Sequence, residues 1–122
     1  NIRLAIIKAV ASYYKPLILM LQATADIGEH RAQAKKYGVT LYAEAFADRC
    51  YDDDGSLLKR TEKGAVLNQD EILKQVAQLK QSGTVTTVSG NSIALNPDSL
   101  CVHGDNKSGV AAMVKIKLLL EK

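Results

Sequence analysis

The sequence predicts an α/β fold built from parallel strands with crossover helices. Helical and strand-like segments alternate as α-β-α-β in the first part of the chain, an order that makes a parallel sheet the economical arrangement. Two of these segments, Leu17 to Leu21 and Val39 to Ala43, are apolar runs typical of parallel strands buried on both faces. Charged side chains follow the second run, where open α/β sheets and β/α barrels present their functional groups.

Length and composition restrict the classes of protein to consider. The 122 residues suffice for one small domain, and 47% hydrophobic with 24% charged residues is ordinary for a globular protein. The net charge of +3 comes from scattered basic residues, so we expect no nucleic-acid partner. We expect no membrane partner, since no apolar run reaches the roughly 18–20 residues that span a bilayer. Without a visible signal peptide, we expect a cytoplasmic protein with Cys50 and Cys101 as unpaired thiols.

Capping signals set the expected helices. Asn1 is placed to cap a helix over Ile2 to Tyr14 that Pro16 ends, and Asp26 with Glu29 predicts a capping box for a helix to Tyr37. A second pair, Asn68 and Glu71, predicts a helix with Ile72, Val76 and Leu79 on its buried face, ended by Gly83. The remainder predicts a small surface β-hairpin over Thr84 to Val88 and Ser92 to Leu95 and a short strand at Leu100 to Val102. It also predicts a last helix from about Asn106, with Val110, Met113, Val114, Lys117 and Leu118 in helical register.

Two strand ends carry the candidate functional residues. In a parallel sheet the carboxyl ends of all strands lie on one side, so Glu44 to Arg49 and His103 to Asp105 are expected to converge. Carboxylates, an imidazole and a guanidinium suit acid–base chemistry at a carbonyl centre, with an arginine fork holding a carboxylate or phosphate. We predict catalytic roles for Glu44, Asp48, His103 and Asp105, substrate or phosphate binding by Arg49 and Arg60, and no metal ligands.

Simpler interpretations exist for several of these residues. Asp52-Asp53-Asp54-Gly55 is interpreted as a solvated turn, because Asp-Gly is a strong turn signal and the spacing does not match a calcium loop. Asp105 either belongs to the site or caps the last helix, and His103 is either functional or a core histidine. The two cysteines are interpreted as inert thiols.

An ordered set of motifs resembles the LamB/YcsF family over essentially the whole chain. The matching residues are Ala43-Glu44-Ala45-Phe46-Ala47-Asp48-Arg49, Tyr51 with Asp54-Gly55 and Leu57, Arg60, and Leu100-Cys101-Val102-His103-Gly104-Asp105. The resemblance implies an irregular, TIM-like β/α barrel similar to the glycoside hydrolase/deacetylase fold. Family members also carry N-terminal acidic and histidine-bearing motifs that are not found here. We therefore expect residues 1–122 to be a single domain that is the C-terminal portion of such a barrel.

The same resemblance implies an activity. The implied activity is that of the A subunit of a 5-oxoprolinase, which cleaves the lactam of 5-oxo-L-proline to L-glutamate. ATP, together with Mg²⁺, is the implied co-substrate. Subunits B and C are the implied partners, with a homo-oligomer as a further expected assembly. No G-x-x-x-x-G-K-[ST] loop occurs, so nucleotide binding rests on the resemblance. Two alternatives stay open: a metal-dependent deacetylase-like hydrolase with His103, Asp105 and Glu44 as ligands, and a non-catalytic assembly element.

Overall fold

The computed structural model describes residues 1–122, which form four helices and five strands. The helices and strands alternate up to the second strand, as the sequence predicts. In chain order the elements are α1 (Ile2–Ala11), β1 (Ile18–Gln22), α2 (Ile27–Lys36), β2 (Thr40–Phe46), α3 (Gln69–Ser82), β3 (Thr84–Thr86), β4 (Ser92–Ala94), β5 (Ser99–Cys101) and α4 (Lys107–Glu121).

The sheet is parallel and has β2 at its centre. Its order is β1-β2-β5, with Leu21 opposite Ala43 and Phe46 opposite Cys101. The strands β3 and β4 form a separate antiparallel hairpin. The predicted α/β class, the parallel strands and the hairpin are therefore confirmed.

The two faces of the parallel sheet differ in burial. On one face Leu41, Ala43 and Ala45 pack into a core that includes Ile7 of α1 and Ile27 of α2. The opposite face leaves 58% of Ile18, 46% of Met20 and 42% of Tyr42 exposed. The prediction of strands buried on both faces is therefore wrong, because the apolar runs have the right composition but no element of the chain packs on the second face. We call this second face the open face.

All three predicted helix starts are present, and the predicted capping hydrogen bond forms at two of them. Asn1 accepts a hydrogen bond from the Leu4 N–H, although α1 ends at Ala11 rather than Tyr14. Asn68 accepts from the Glu71 N–H, and its side-chain amide donates to the Glu71 carboxylate at the start of α3. The box predicted at Asp26 does not form, because its carboxylate accepts from Thr24 Oγ1 at 2.6 Å and lies 3.4 Å from His30 Nε2.

The last helix is present where it was predicted, and one stripe of it is buried. Gly109, Ala112 and Ile116 are buried, with Ala112 and Ile116 in a second core cluster beside Ile72 and Val76 of α3. The apolar residues that predicted the helical register are more than half exposed; they are Val110, Met113, Val114 and Leu118. They stay outside the core because α3 packs against α4 along Ala112 and Ile116. No helix is long and apolar enough to cross a bilayer.

Candidate functional site

The carboxyl ends of β2 and β5 lie at the same edge of the sheet. The pairing of Phe46 with Cys101 is followed by a hydrogen bond from the Ala47 N–H to the Cys101 carbonyl at 2.9 Å. The chain therefore leaves both strands side by side. This places Asp48 against His103 although 55 positions separate them in sequence, and it confirms that these two strand ends share one edge.

Asp48 is fully buried, and both of its carboxylate oxygens have partners. Oδ2 accepts hydrogen bonds from the His103 backbone N–H at 3.0 Å and from Asn106 Nδ2 at 3.3 Å. Oδ1 lies 2.9 Å from His103 Nδ1. A buried carboxylate requires such partners, because an unpaired charge in the interior is strongly disfavoured.

The contact with Asp48 defines which nitrogen of His103 is free. A carboxylate accepts but does not donate, so the Nδ1 of His103 carries a proton and donates it to Oδ1. In the neutral ring Nε2 is then the acceptor, and it has no hydrogen-bond partner within the protein. The ring stacks on Phe46 with centroids 5.3 Å apart and planes 17° apart. A histidine held in this way can take a proton from a bound molecule at Nε2.

The segment that carries Asp48 and Arg49 is fixed from the side of α3. Arg49 forms an isolated antiparallel bridge with Val66. The buried Gln75 donates from its Nε2 to the carbonyls of Phe46 at 2.9 Å, Ala47 at 3.2 Å and Arg49 at 3.0 Å. Sequence reasoning missed Gln75, although a glutamine between Ile72 and Val76 on a buried helix face was a signal that could have found it.

The start of α4 closes the site on the other side. Asn106 caps this helix by accepting from the Ser108 N–H, so the open question about Asp105 is settled against its being the cap. A Cβ on Gly109 would lie 2.8 Å from Val102 Cγ1 and 3.3 Å from Asp48 Oδ2, and only glycine allows this close approach. Asn106 was also missed by the sequence reasoning, which treated it only as the approximate helix start.

Side chains from the two strand ends and from the start of α4 line a pocket of about 150 Å³. Three cationic side chains and two carboxylates surround it, and only one lining residue is hydrophobic; the set is Asp48, Arg49, Arg60, Val66, His103, Asp105, Asn106 and Lys107. Arg60 Nη1 pairs with Asp105 Oδ2 at 2.7 Å, and this hydrogen bond and charge lower the pKa of Asp105 below its ordinary value. The structure thus brings five of the six predicted site residues together.

Glu44 is the residue that does not join this pocket. The sequence predicted it directly after the strand, but it lies inside β2 opposite Ser99, because β2 continues to Phe46. Its charge adds to burial in raising the pKa of the Cys101 thiol. No group of three or more His, Cys, Asp or Glu side chains is arranged to hold a metal ion, so the ligand set of the deacetylase alternative does not form.

The neighbouring acidic residues form the predicted turn. Gly55 has a φ of +87°, and Asp54 Oδ1 accepts from the Ser56 N–H at 2.9 Å. Hydrogen bonds from Thr87 to Asp53 and from Ser56 to Asp54 lower the pKa of both carboxyls. Cys50 and Cys101 are free, as predicted, and burial raises the pKa of both thiols, which makes them less reactive.

Comparison with known proteins agrees with the motif set. The LamB/YcsF family model matches residues 1–122. The A subunit of 5-oxoprolinase from Vibrio campbellii is 45% identical over 115 residues, which are 93% of this chain and 45% of that protein. The corresponding A subunit from Pseudomonas fluorescens is 43% identical over 119 residues, covering 97% of this chain and 48% of the relative.

A solved structure shares the fold. The lactam utilization protein from Thermus thermophilus superposes with a TM-score of 0.74 at 26% identity, covering 98% of this chain and 46% of that one. This chain therefore spans about half the length of the relatives and of the solved structure that it matches. With a family model that matches from the first residue to the last, the chain belongs to the LamB/YcsF family.

Proposed function

We propose that this chain contributes the hydrolytic site of an ATP-dependent 5-oxoprolinase, which cleaves the lactam of 5-oxo-L-proline to L-glutamate. The observation that carries the proposal is the buried Asp48–His103 pair at the edge of a pocket, in a chain whose relatives, named as the A subunit of 5-oxoprolinase, are 38–45% identical over most of its length. Opening a lactam needs a group that moves protons at a carbonyl centre, and this pair supplies one.

In the proposed step His103 Nε2 removes a proton from water as its oxygen adds to the lactam carbonyl carbon. The carbon–nitrogen bond then breaks, and His103 returns the proton to the departing nitrogen, giving the amine and carboxylate of glutamate. Asp48 holds the imidazole in the required tautomer and balances the positive charge that forms on it. Arg49 and Arg60 bind the anionic part of the substrate, because both guanidinium groups line the same pocket.

Two further carboxylates belong to the proposed site. Glu44 is assigned to water activation together with His103, since it precedes Phe46 by two residues and so lies on the same open face of β2, and the Phe46 ring stacks on His103. Asp105 acts at the pocket mouth through its ion pair with Arg60. The support for Glu44 is positional only, whereas Asp105 lines the pocket itself.

The proposed architecture is part of a TIM-like β/α barrel. The support is a parallel sheet covered by helices on one face and open on the other, in a chain that matches 46% of a longer solved protein. We interpret residues 1–122 as one domain, since Leu100 packs against both core clusters, and as the C-terminal portion of the barrel. An open sheet face is also a surface on which two copies of the chain would associate.

ATP, with its Mg²⁺, is the proposed co-substrate, and subunits B and C are the proposed partners. The relatives' designation as the A subunit supports a multi-subunit enzyme. The residues described here do not fit a nucleotide or metal site of their own, since there is no phosphate-binding G-x-x-x-x-G-K-[ST] loop and no cluster of metal ligands. No step above therefore passes through ATP or Mg²⁺ bound to this chain.

A chimera tests the proposal directly. Residues 1–122 replace the matching segment of the Vibrio campbellii protein, and glutamate release and 5-oxoproline-dependent ATP hydrolysis are measured with subunits B and C. We expect activity within about tenfold of the parent enzyme, because the site residues are supplied by this chain. A folded chimera that assembles with subunits B and C but releases no glutamate would contradict the proposal and favour a non-catalytic assembly role.

A further inference from the structure

Gln75 is an amide side chain in a core position. It lies on the buried face of α3 beside Ile72 and Val76, which have no exposed surface, and is itself 8% exposed. A buried amide destabilises a protein unless its polar atoms are hydrogen-bonded, whereas an apolar residue of similar size fills such a position without that penalty. The hydrogen bonds of Gln75 therefore indicate what the residue does there.

Those hydrogen bonds all go to the backbone on either side of Asp48. Nε2 donates to the carbonyls of Phe46 at 2.9 Å, Ala47 at 3.2 Å and Arg49 at 3.0 Å. An amide nitrogen has two hydrogens, so one of them is shared between two of the three carbonyls. Only an NH2 group can face three acceptors, and this fixes the orientation of the amide.

The segment needs these donors because the chain leaves the sheet at this point. After β2 ends, the Ala47 N–H still donates to the Cys101 carbonyl at the end of β5. The ladder with β5 then stops, and the backbone carbonyls need other donors. The Leu67 N–H donates to the carbonyl of Asp48 at 3.0 Å. Gln75 supplies a donor to the three carbonyls around it, and so takes the place of a neighbouring strand.

We infer that Gln75 is the positioning residue of the Asp48–His103 pair. Holding the peptide groups on both sides of Asp48 fixes the direction in which its side chain leaves the backbone. That direction brings Oδ1 to 2.9 Å from His103 Nδ1 and Oδ2 to 3.0 Å from the His103 N–H. A displacement of about 1 Å would take both contacts beyond hydrogen-bond distance, and His103 would lose the partner that keeps the proton on Nδ1. The consequence for catalysis rests on the proposed function, whereas the effect on the imidazole does not.

The helix that carries Gln75 also connects the two halves of the pair. Helices α3 and α4 pack through buried apolar side chains of the second core cluster; these are Ile72, Val76, Ala112 and Ile116. At the start of α4, close after His103 in the chain, Asn106 donates to Asp48 Oδ2 at 3.3 Å. Gln75 therefore ties Asp48 to the same helix pair that follows His103, so that helix packing sets the distance between the two residues.

The first test compares the imidazole tautomer of His103 in the unchanged 122-residue chain and in Gln75→Met, by ¹H–¹⁵N NMR at a pH where the ring is neutral. The ratio of Nδ1–H to Nε2–H rings should fall by about tenfold in the variant, the effect expected when a hydrogen bond to a charged group is misaligned. Gln78→Met is the matched control and should leave the ratio unchanged, because Gln78 lies on the same helix but donates to Thr84 Oγ1 in the hairpin at 3.0 Å. Melting curves verify that all three proteins are folded.

The second test uses the active chimera. Gln75→Met should lower kcat by about tenfold to a hundredfold and leave KM for 5-oxoproline within about twofold, because a misplaced proton-transfer group affects the chemical step. Gln78→Met should keep both constants within about twofold. Added to His103→Ala, Gln75→Met should change kcat by no more than about twofold, since Gln75 acts through His103.

Several results would overturn the inference. One is an unchanged tautomer ratio in a folded Gln75→Met chain, and another is an equal change in Gln78→Met. A kcat that does not respond to Gln75→Met would show that the residue only stabilises the fold. If Gln75→Met does not fold, Gln75→Asn decides in its place. It keeps the amide but shortens the stem by one methylene, so it cannot reach all three carbonyls and the same changes are expected.

The two proposals can fail separately. A tautomer shift in the Gln75→Met chain, together with a chimera that never releases glutamate, would overturn the proposed function alone. Glutamate release by the chimera, with neither the tautomer ratio nor kcat responding to Gln75→Met, would overturn this inference alone.

Discussion

Asp48 and the pair Asp53 and Asp54 lie within a few residues of each other along the chain, but they differ in exposure to water. Asp48 is fully buried and is bonded to His103 and Asn106, which come from a distant part of the sequence. Asp53 and Asp54 are exposed and accept hydrogen bonds from hydroxyl and amide groups of the turn and the hairpin. The turn at Asp53 and Asp54, where negative charge is denser, therefore has a structural role, whereas the single Asp48 belongs to the pocket.

The difference shows what makes a carboxylate chemically useful in this fold. Water solvates the turn aspartates and leaves them little influence on a neighbouring group. Asp48 is shielded from water, so its charge acts on His103 at close range and in low dielectric. The following predictions, made for the active chimera unless stated otherwise, test this contrast in order of expected effect.

The largest effect is expected for His103→Ala. Removing the proton-transfer group should lower kcat by about two to four orders of magnitude, the usual loss for a positioned acid or base. Steady-state glutamate release measures it, with circular dichroism as the control for folding. A loss confined to KM would assign His103 to binding and contradict the role given to it here.

A smaller effect is expected for Arg49→Lys, next to Asp48 in the chain. Lysine keeps the charge but loses the bidentate fork, so KM for 5-oxoproline should rise by about tenfold while kcat changes little. Initial rates over a range of each substrate separate the two constants. Abolished turnover at saturating substrate would show that Arg49 takes part in the chemical step.

Tyr51, between the two carboxylate groups, should make stability depend on alkaline pH in the isolated chain. Burial raises its pKa to about 12 in the folded protein, whereas an unfolded tyrosine titrates near 10. The contribution of Tyr51 to the free energy of unfolding is complete below about pH 10. It is lost as pH rises through about 12, because the tyrosine of the unfolded state releases its proton first.

The melting temperature of the unchanged chain should therefore fall more between pH 10 and 12 than that of Tyr51→Phe. The variant should also be less stable at neutral pH, because the Phe46 N–H loses the Tyr51 hydroxyl as its acceptor. Tyr14→Phe, at an exposed position, is the control and should follow the unchanged chain. Parallel curves for all three proteins would show that Tyr51 titrates normally.

The smallest effect is expected for Asp53→Asn in the turn. Its carboxylate is exposed and accepts from Thr87 and Asn91, contacts that an amide oxygen partly replaces. Both kcat and KM should stay within about twofold, since exposed charge contacts contribute little. A loss of activity comparable with that of His103→Ala would place the acidic turn in the site and remove the contrast.

The sequence predicted that the segments carrying Asp48 and His103 converge, because this depends on chain topology alone. Parallel strands bring their carboxyl ends to one edge whatever the details of packing. The turn at Gly55 and the cap at Asn68 were predictable for a similar reason, since each is specified by residues close together in sequence.

The failures concern features that depend on which of several possible partners a residue contacts in the fold. Asp26 looks like a cap, but Thr24 and His30 compete for its carboxylate. Glu44 was misplaced because its position inside β2 depends on pairing with Gln22 of β1 and with Ser99 of β5, which strand composition alone does not give.

The central claim is that Asp48 and His103 act as one unit, and a double-mutant comparison of kcat tests it most directly. Glutamate release is measured for His103→Ala and for His103→Ala combined with Asp48→Asn, with folding checked by circular dichroism. If Asp48 acts only through His103, the two proteins should have the same kcat within about twofold, because removing the orienting group of an absent histidine has no further effect. A further loss of about tenfold or more in the double variant would show that Asp48 acts on the substrate independently, and would contradict the claim.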